Sequence, residues 1–310
     1  MLSLNESMRR FLDGELAKLT LSDSKSGVKL SIGWQLFIIA LIYTLLSPPV
    51  SLPCYERLLF FPDNKGFEPT VALVEAELAK SGCIKRDVRF PAENGDWLHG
   101  WFFVKPDAEC TVIVSHGNAG NIASRIGLAS ALVHSGCSVL LYDYRGYGTS
   151  GGVPSISGIC NDANSAYDFL AKDKEIRNRG IVAYGESLGA AVSTALSLRR
   201  PVRALILQSA FPSLLYACRD RLWFTWLYPD SWFPVLDNLK PLSQSHPPLL
   251  ILHGSADRIF PLAYAKAIFN NASQKKRLAI INNMPHVVEP AQESEVSALV
   301  SAFLRKYVHG

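Results

Sequence analysis

From residue 88 onward, short runs of β-branched and aromatic residues alternate with longer stretches whose apolar positions recur every three to four residues. That alternation predicts strands feeding helices, the pattern of βαβ units around a mainly parallel sheet. Strands are expected at 87–90, 98–104, 111–115, 138–142, 181–184, 204–207, 249–252 and 278–281, the first two as an antiparallel hairpin. Helices are expected at 69–80, 123–134, 157–171, 188–198, 262–270 and 293–307. Ahead of this region the pattern is different. No charged residue stands between Lys29 and Glu56, and residues 32–52 form an apolar run of 21 residues. As one helix that run would reach about 31 Å, the thickness of a bilayer core. The expected organisation is a polar tail at 1–29, a single membrane-spanning anchor at 30–52 and a folded α/β domain at 53–310. The competing reading is a buried helix that Pro48 and Pro49 stop early. Trp34 and Tyr43 suit the headgroup level, and no small-residue cleavage site follows the run. Arg9, Arg10, Lys18, Lys25 and Lys29 precede it, whereas Arg57 and Lys65 follow it closely, so the tail is expected on the cytoplasmic side and the domain across the membrane.

Composition narrows the classes. With 48% apolar and 19% charged residues, the chain has too much core material for disorder and too much charge for a polytopic membrane protein. Its 31 basic and 27 acidic residues are dispersed, which gives no basic stripe for nucleic acid. The six cysteines are far apart, with no spacing suited to a structural metal.

The chemistry is carried by Gly185-Glu186-Ser187-Leu188-Gly189, a G-x-S-x-G pattern in which a strand turns sharply into a helix with serine at the apex. The glycines keep strand and helix from colliding there. A second match, Gly148-Thr149-Ser150-Gly151-Gly152, lies in loop chemistry and is followed by Pro154, so Ser150 reads as a turn serine. Ser187 follows a buried-strand run and precedes a small-residue helix, and is the candidate nucleophile; the alternative is a helix-capping serine. A serine nucleophile needs a histidine base and a carboxylate to orient it, in the chain order Ser, acid, His for this elbow. Of the seven histidines, His246, His253, His286 and His309 follow Ser187, and His286 lies in the loop after the last predicted strand, where sheet-end chemistry belongs. Asp257 leaves the preceding strand after a short glycine turn and is the candidate acid, with Asp220, Asp230 and Asp237 as substitutes. The developing oxyanion needs two backbone N–H donors. Leu188 N–H and Asn118 N–H, the latter in His116-Gly117-Asn118-Ala119-Gly120-Asn121, are the candidates.

Taken together, HGNAGN from His116, DYRGYG from Asp143, GESLG from Gly185, HGSAD from His253 and the later His286 resemble the α/β-hydrolase superfamily. Within it the chain is similar to the membrane-anchored bud-emergence-type hydrolases and their serine-aminopeptidase-like relatives. The resemblance covers roughly residues 57–307. It implies an eight-stranded sheet, a Ser187-Asp257-His286 triad and no cofactor. Pro285 departs from the pattern, since such hydrolases usually have glycine before the histidine. Residues 211–248 fall where such hydrolases carry a cap, and Trp223 and Trp226 there are candidates to line an acyl pocket, against the alternative of a helix packed on the sheet. The expected substrate is a small ester or thioester, acyl or lipid-like. Peptide or amide cleavage, or a silent membrane-tethered binding module of the same fold, are the alternatives.

Overall fold

The computed structural model describes residues 31–64, 68–273 and 275–308. The polar tail lies outside them. The apolar run does not form one helix. It gives a helix at Ile32–Leu45 and a second at Pro48–Leu59, and no helix among the described residues is long and apolar enough to cross a membrane. A single helix over the expected anchor at 30–52 is therefore not seen among the described residues, and the interruption falls at Pro48-Pro49. Two consecutive residues without an N–H cannot continue the helical ladder, but they fit the first turn of a new helix, where those donors have no partner. The break is sealed by the Ser47 hydroxyl, which donates to the Thr44 carbonyl at 2.6 Å. Ile32–Leu45 is apolar around its whole circumference, and none of its residues is buried.

The chain divides after Ser47 into two compact units, and the second, from Pro48 onward, carries the sheet. Its strands are β1 (Phe61–Pro62), β2 (Ile84–Pro91), β3 (Trp97–Val104), β4 (Cys110–Ser115), β5 (Ala119–Gly120), β6 (Cys137–Tyr142), β7 (Ile181–Glu186), β8 (Ala204–Gln208), β9 (Leu249–Gly254) and β10 (Lys276–Ile281). β1 and β5 make a small parallel pair of their own. The other strands form an eight-stranded sheet in the order β10-β9-β8-β7-β4-β6-β3-β2, in which β3 is antiparallel to both β2 and β6 and the remaining pairs are parallel.

Central strands are buried on both faces, which is why they read as unbroken apolar runs. Along β9, Leu249 and Ile251 enter one core layer while Leu250 and Leu252 enter the other, and along β4 Ile113 is opposed by Val112 and Val114 in the same way. The first layer is closed by helices Ile156–Ala171, Leu188–Arg199 and Leu262–Asn271. Helices Ile126–His134 and Glu293–Tyr307 close the second. The chain runs from β4 to β6 on one side and returns through β7 on the other, so the strand order reverses beside β4. A crevice outside the carboxyl ends of the strands opens at such a reversal.

Candidate active site

Ser187 stands between β7 and the helix Leu188–Arg199 with φ 55° and ψ −112°, a conformation that L residues rarely adopt. Its neighbours must be small. A Cβ on Gly189 would strike the Ser115 carbonyl of β4, and one on Gly185 would strike the backbone of Gly189. The Ser187 N–H donates to the Gln208 carbonyl at 2.9 Å, which ties the elbow to β8. Leu188 opens the helix, so its N–H has no acceptor within the helix.

Gly117 passes against this turn: a Cβ there would lie 3.6 Å from Ser187 Cβ and 2.8 Å from Glu186 Oε1. His116 is buried, and its Nδ1 donates to the Gly117 carbonyl at 2.7 Å. Burial and the Arg125 charge lower its pKa to about 3, so the ring is neutral at physiological pH. Arg125 pairs with Glu186 at 2.7 Å and donates to the Ala119 carbonyl at 2.8 Å, joining the elbow to the loop after β4.

The acid and the histidine meet across β9 and β10. The side chain of Asp257 is fully buried, and its Oδ2 accepts from His286 Nδ1 at 2.8 Å. Its Oδ1 accepts from the N–H groups of Ile259 at 2.8 Å and Phe260 at 2.9 Å. Burial alone would raise this carboxyl, but the His286 bond and the backbone donors outweigh it and hold the pKa below the usual aspartate range. The path of the histidine loop is set by Gly254, where a Cβ would strike the Met284 carbonyl. Pro285 is accommodated with a trans peptide. The His286 carbonyl accepts from Ser209 Oγ at 2.7 Å and Gln208 Nε2 at 3.3 Å.

Ser187, His286, Leu188, Gly117 and Asn118 all line one cavity of about 500 Å³. Much of the remaining wall is apolar, including Leu59, Phe211, Ile259 and Val287. Helix Leu214–Arg221 contributes Leu214, Ala217, Cys218 and Arg221, one face at helical spacing. Trp223 and Trp226 do not line this cavity, which corrects the expectation for them. They sit in the 3₁₀ turn Trp223–Leu227 beyond that helix, 67% and 64% exposed, and the Trp226 ring lies 4.4 Å under the Arg219 guanidinium.

The other candidates have different tasks. Ser150 Oγ accepts from the His99 N–H and donates to the Asp143 carbonyl, both at 2.9 Å. Asp220 accepts from the Tyr264 hydroxyl, Asp230 pairs with Arg219, and Asp237 accepts from the Leu239 N–H. His246 bonds the Pro247 carbonyl, His253 bonds the Phe260 carbonyl, and His309 lies outside the described residues. Sequence reasoning missed Arg125, Glu186 and Ser209. Only Glu186, as the variable position of the elbow motif, had a signal, and a charged residue at a strand end gives no hint of its partner.

A sheet with helices on both faces, a strained serine at a strand-to-helix turn, and acid and histidine at the ends of later strands define the α/β-hydrolase fold. Comparison with known proteins agrees. The Hydrolase_4 family of S33 serine aminopeptidases matches residues 106–229. The chain is 34% identical to the uncharacterized protein Rv2307c of Mycobacterium tuberculosis, over 74% of this chain and 80% of that one. It is 32% identical to the α/β-hydrolase domain-containing protein WAV2 of Arabidopsis thaliana, over 71% of this chain and 76% of that one. In fold it resembles the esterase Pf2001 of Pyrococcus furiosus, with a TM-score of 0.62 and 19% identity over 80% of this chain and 98% of that one. This chain belongs to the α/β-hydrolase superfamily.

Proposed function

We propose that the protein is a serine hydrolase that cleaves an ester or thioester through an acyl-enzyme on Ser187. The observation that carries this reading is the 2.8 Å bond from His286 Nδ1 to buried Asp257, at the edge of the cavity that Ser187 also lines. With its Nδ1–H held by the carboxylate, the imidazole presents Nε2 as a base. Nε2 takes the Ser187 proton as Oγ attacks the carbonyl carbon, and the carbonyl electron pair moves onto oxygen. Leu188 N–H and Asn118 N–H receive that oxyanion. When the tetrahedral intermediate collapses, the bond to the leaving oxygen or sulfur breaks and the leaving group takes the proton from His286. Water, deprotonated by the same imidazole, then releases the acid and restores Ser187.

The apolar wall from Leu214, Ala217, Ile259 and Val287 favours an acyl chain over a peptide. The esterase description of the Pyrococcus protein supports the ester class. We also infer that the exposed apolar helix Ile32–Leu45 attaches the chain to a membrane. The test of the chemistry is fluorophosphonate treatment followed by peptide mass mapping. The adduct is expected on the peptide containing Ser187, and an adduct elsewhere would contradict the assignment.

A further inference from the structure

The loop that carries Asn118 leans on a segment almost sixty residues earlier. β1 pairs in parallel with β5, Phe61 opposite Ala119 and Pro62 opposite Gly120. The Phe61 N–H donates to the Asn118 carbonyl at 2.9 Å, and the Asp63 N–H to the Gly120 carbonyl at 3.1 Å. In return Asn118 Nδ2 donates to the Leu59 carbonyl at 3.0 Å. The Tyr147 hydroxyl, from the loop after β6, donates to the same Asn118 carbonyl at 2.7 Å. Buried Phe60 fixes the segment to the core between these contacts.

These bonds act on the two peptide planes that flank one Cα. The Asn118 carbonyl takes two donors, which fills its lone pairs and fixes the plane that follows. The plane ahead is fixed by His116 Nδ1 on the Gly117 carbonyl. In a trans peptide the N–H of Asn118 is opposed to that carbonyl, so holding the carbonyl aims the N–H. With both planes held, φ and ψ at residue 118 have little freedom. An oxyanion donor is effective only near 2.7–3.1 Å from the developing charge, and about 1 Å of misplacement can cost about 100-fold in rate.

We propose that residues 59–63 and Tyr147 form a positioning strap for the oxyanion hole, in which the Asn118 side chain and the Tyr147 hydroxyl hold the Asn118 N–H on target. This rests on the reading of Ser187 as nucleophile and Asn118 N–H as oxyanion donor. Neither side-chain group has to touch the substrate. Their removal leaves the N–H present and loosens its aim, which weakens transition-state binding while sparing the ground state.

The experiment uses the full chain in detergent with Asn118→Ala and Tyr147→Phe. Two quantities are read: the rate and end point of fluorophosphonate labelling at Ser187, and kcat and KM for p-nitrophenyl butyrate. The expected result is a fall of about 10-fold to 100-fold in kcat and labelling rate, with KM within about 2-fold and the labelled fraction at the end point unchanged. A reduced labelled fraction with a wild-type rate per labelled site would mean that the contacts serve stability alone, and would overturn the proposal. So would wild-type rates in both variants. Tyr147 is buried, so if Tyr147→Phe does not fold, the half-buried Asn118→Ala decides alone. Wild-type labelling at a residue other than Ser187 would remove the nucleophile reading itself, and the strap with it.

Discussion

His116 gives a pH dependence that can be worked from the structure. Its ring is buried 4.3 Å from the Tyr144 ring and 5.1 Å from that of Tyr147, with a pKa lowered from 6.5 to about 3. Unfolding exposes the imidazole and restores the ordinary value. Between those two values the unfolded chain binds more protons, so stability falls as pH falls. From pH 7 to pH 5 this one residue should remove about 2 kcal/mol, the difference in proton binding integrated over that interval. Burial lowers the His253 pKa too, and it raises that of Asp143, whose slope has the opposite sign. The wild type is therefore compared with His116→Asn, which retains these groups and replaces the Nδ1 donor with an amide. Losing the ring costs a pH-independent offset of about 2 kcal/mol or more. The assay is urea unfolding followed by tryptophan fluorescence at pH 5, 6 and 7. The stability advantage of wild type over His116→Asn should shrink by about 2 kcal/mol on going from pH 7 to pH 5. Parallel curves would refute the neutral buried imidazole, and with it the assignment of a single Nδ1–H tautomer holding Gly117.

Asp257→Asn should lower kcat by about 10⁴-fold with little change in KM, because the amide cannot hold the imidazole in the working tautomer; Asp220→Asn and Asp237→Asn should retain activity in the same ester assay. Catalytic efficiency should climb with acyl length by up to about 0.8 kcal/mol per buried methylene, and Ala217→Phe, which fills the apolar wall, should move the optimum to shorter chains while Trp226→Ala leaves it in place. An optimum that Ala217→Phe does not move would place the acyl chain elsewhere. The full chain should stay with the membrane after alkaline carbonate extraction, whereas a chain starting at Pro48 should be soluble and active; release of the full chain would contradict the attachment.

The fold was legible wherever burial is two-sided. Each of β4, β6, β7, β8 and β9 is buried along its length, and each contains the run of apolar residues that predicts it. The helix at Glu293–Tyr307 was legible because its buried residues Val296, Val300, Phe303 and Leu304 recur at helical spacing. The pairing of β1 with β5 was invisible, since two residues on each side carry no period. The same holds for Ser209, whose φ of 48° and bond to the His286 carbonyl follow from how β8 approaches the histidine loop. The aromatic stretch misled for a different reason. Three tryptophans between 223 and 232 suggest a pocket, but the cavity is lined by the less conspicuous i, i+3, i+4, i+7 face of the preceding helix. The apolar run left two readings open, one continuous helix or one stopped by Pro48-Pro49, and the described residues show the interruption at those prolines, where the helical ladder lacks its donors.

The sequence holds two G-x-S-x-G matches, and the structure gives them different surroundings: Ser187 lines the cavity with His286, while Ser150 Oγ is occupied by backbone partners. The most direct measurement is p-nitrophenyl ester turnover by wild type, Ser187→Ala and Ser150→Ala, with melting temperatures taken alongside. Ser187→Ala should lose at least about 10⁴-fold in kcat with its melt nearly unchanged, and Ser150→Ala should keep its turnover while losing some stability. Turnover that survives in Ser187→Ala, or disappears in a folded Ser150→Ala, would contradict the account.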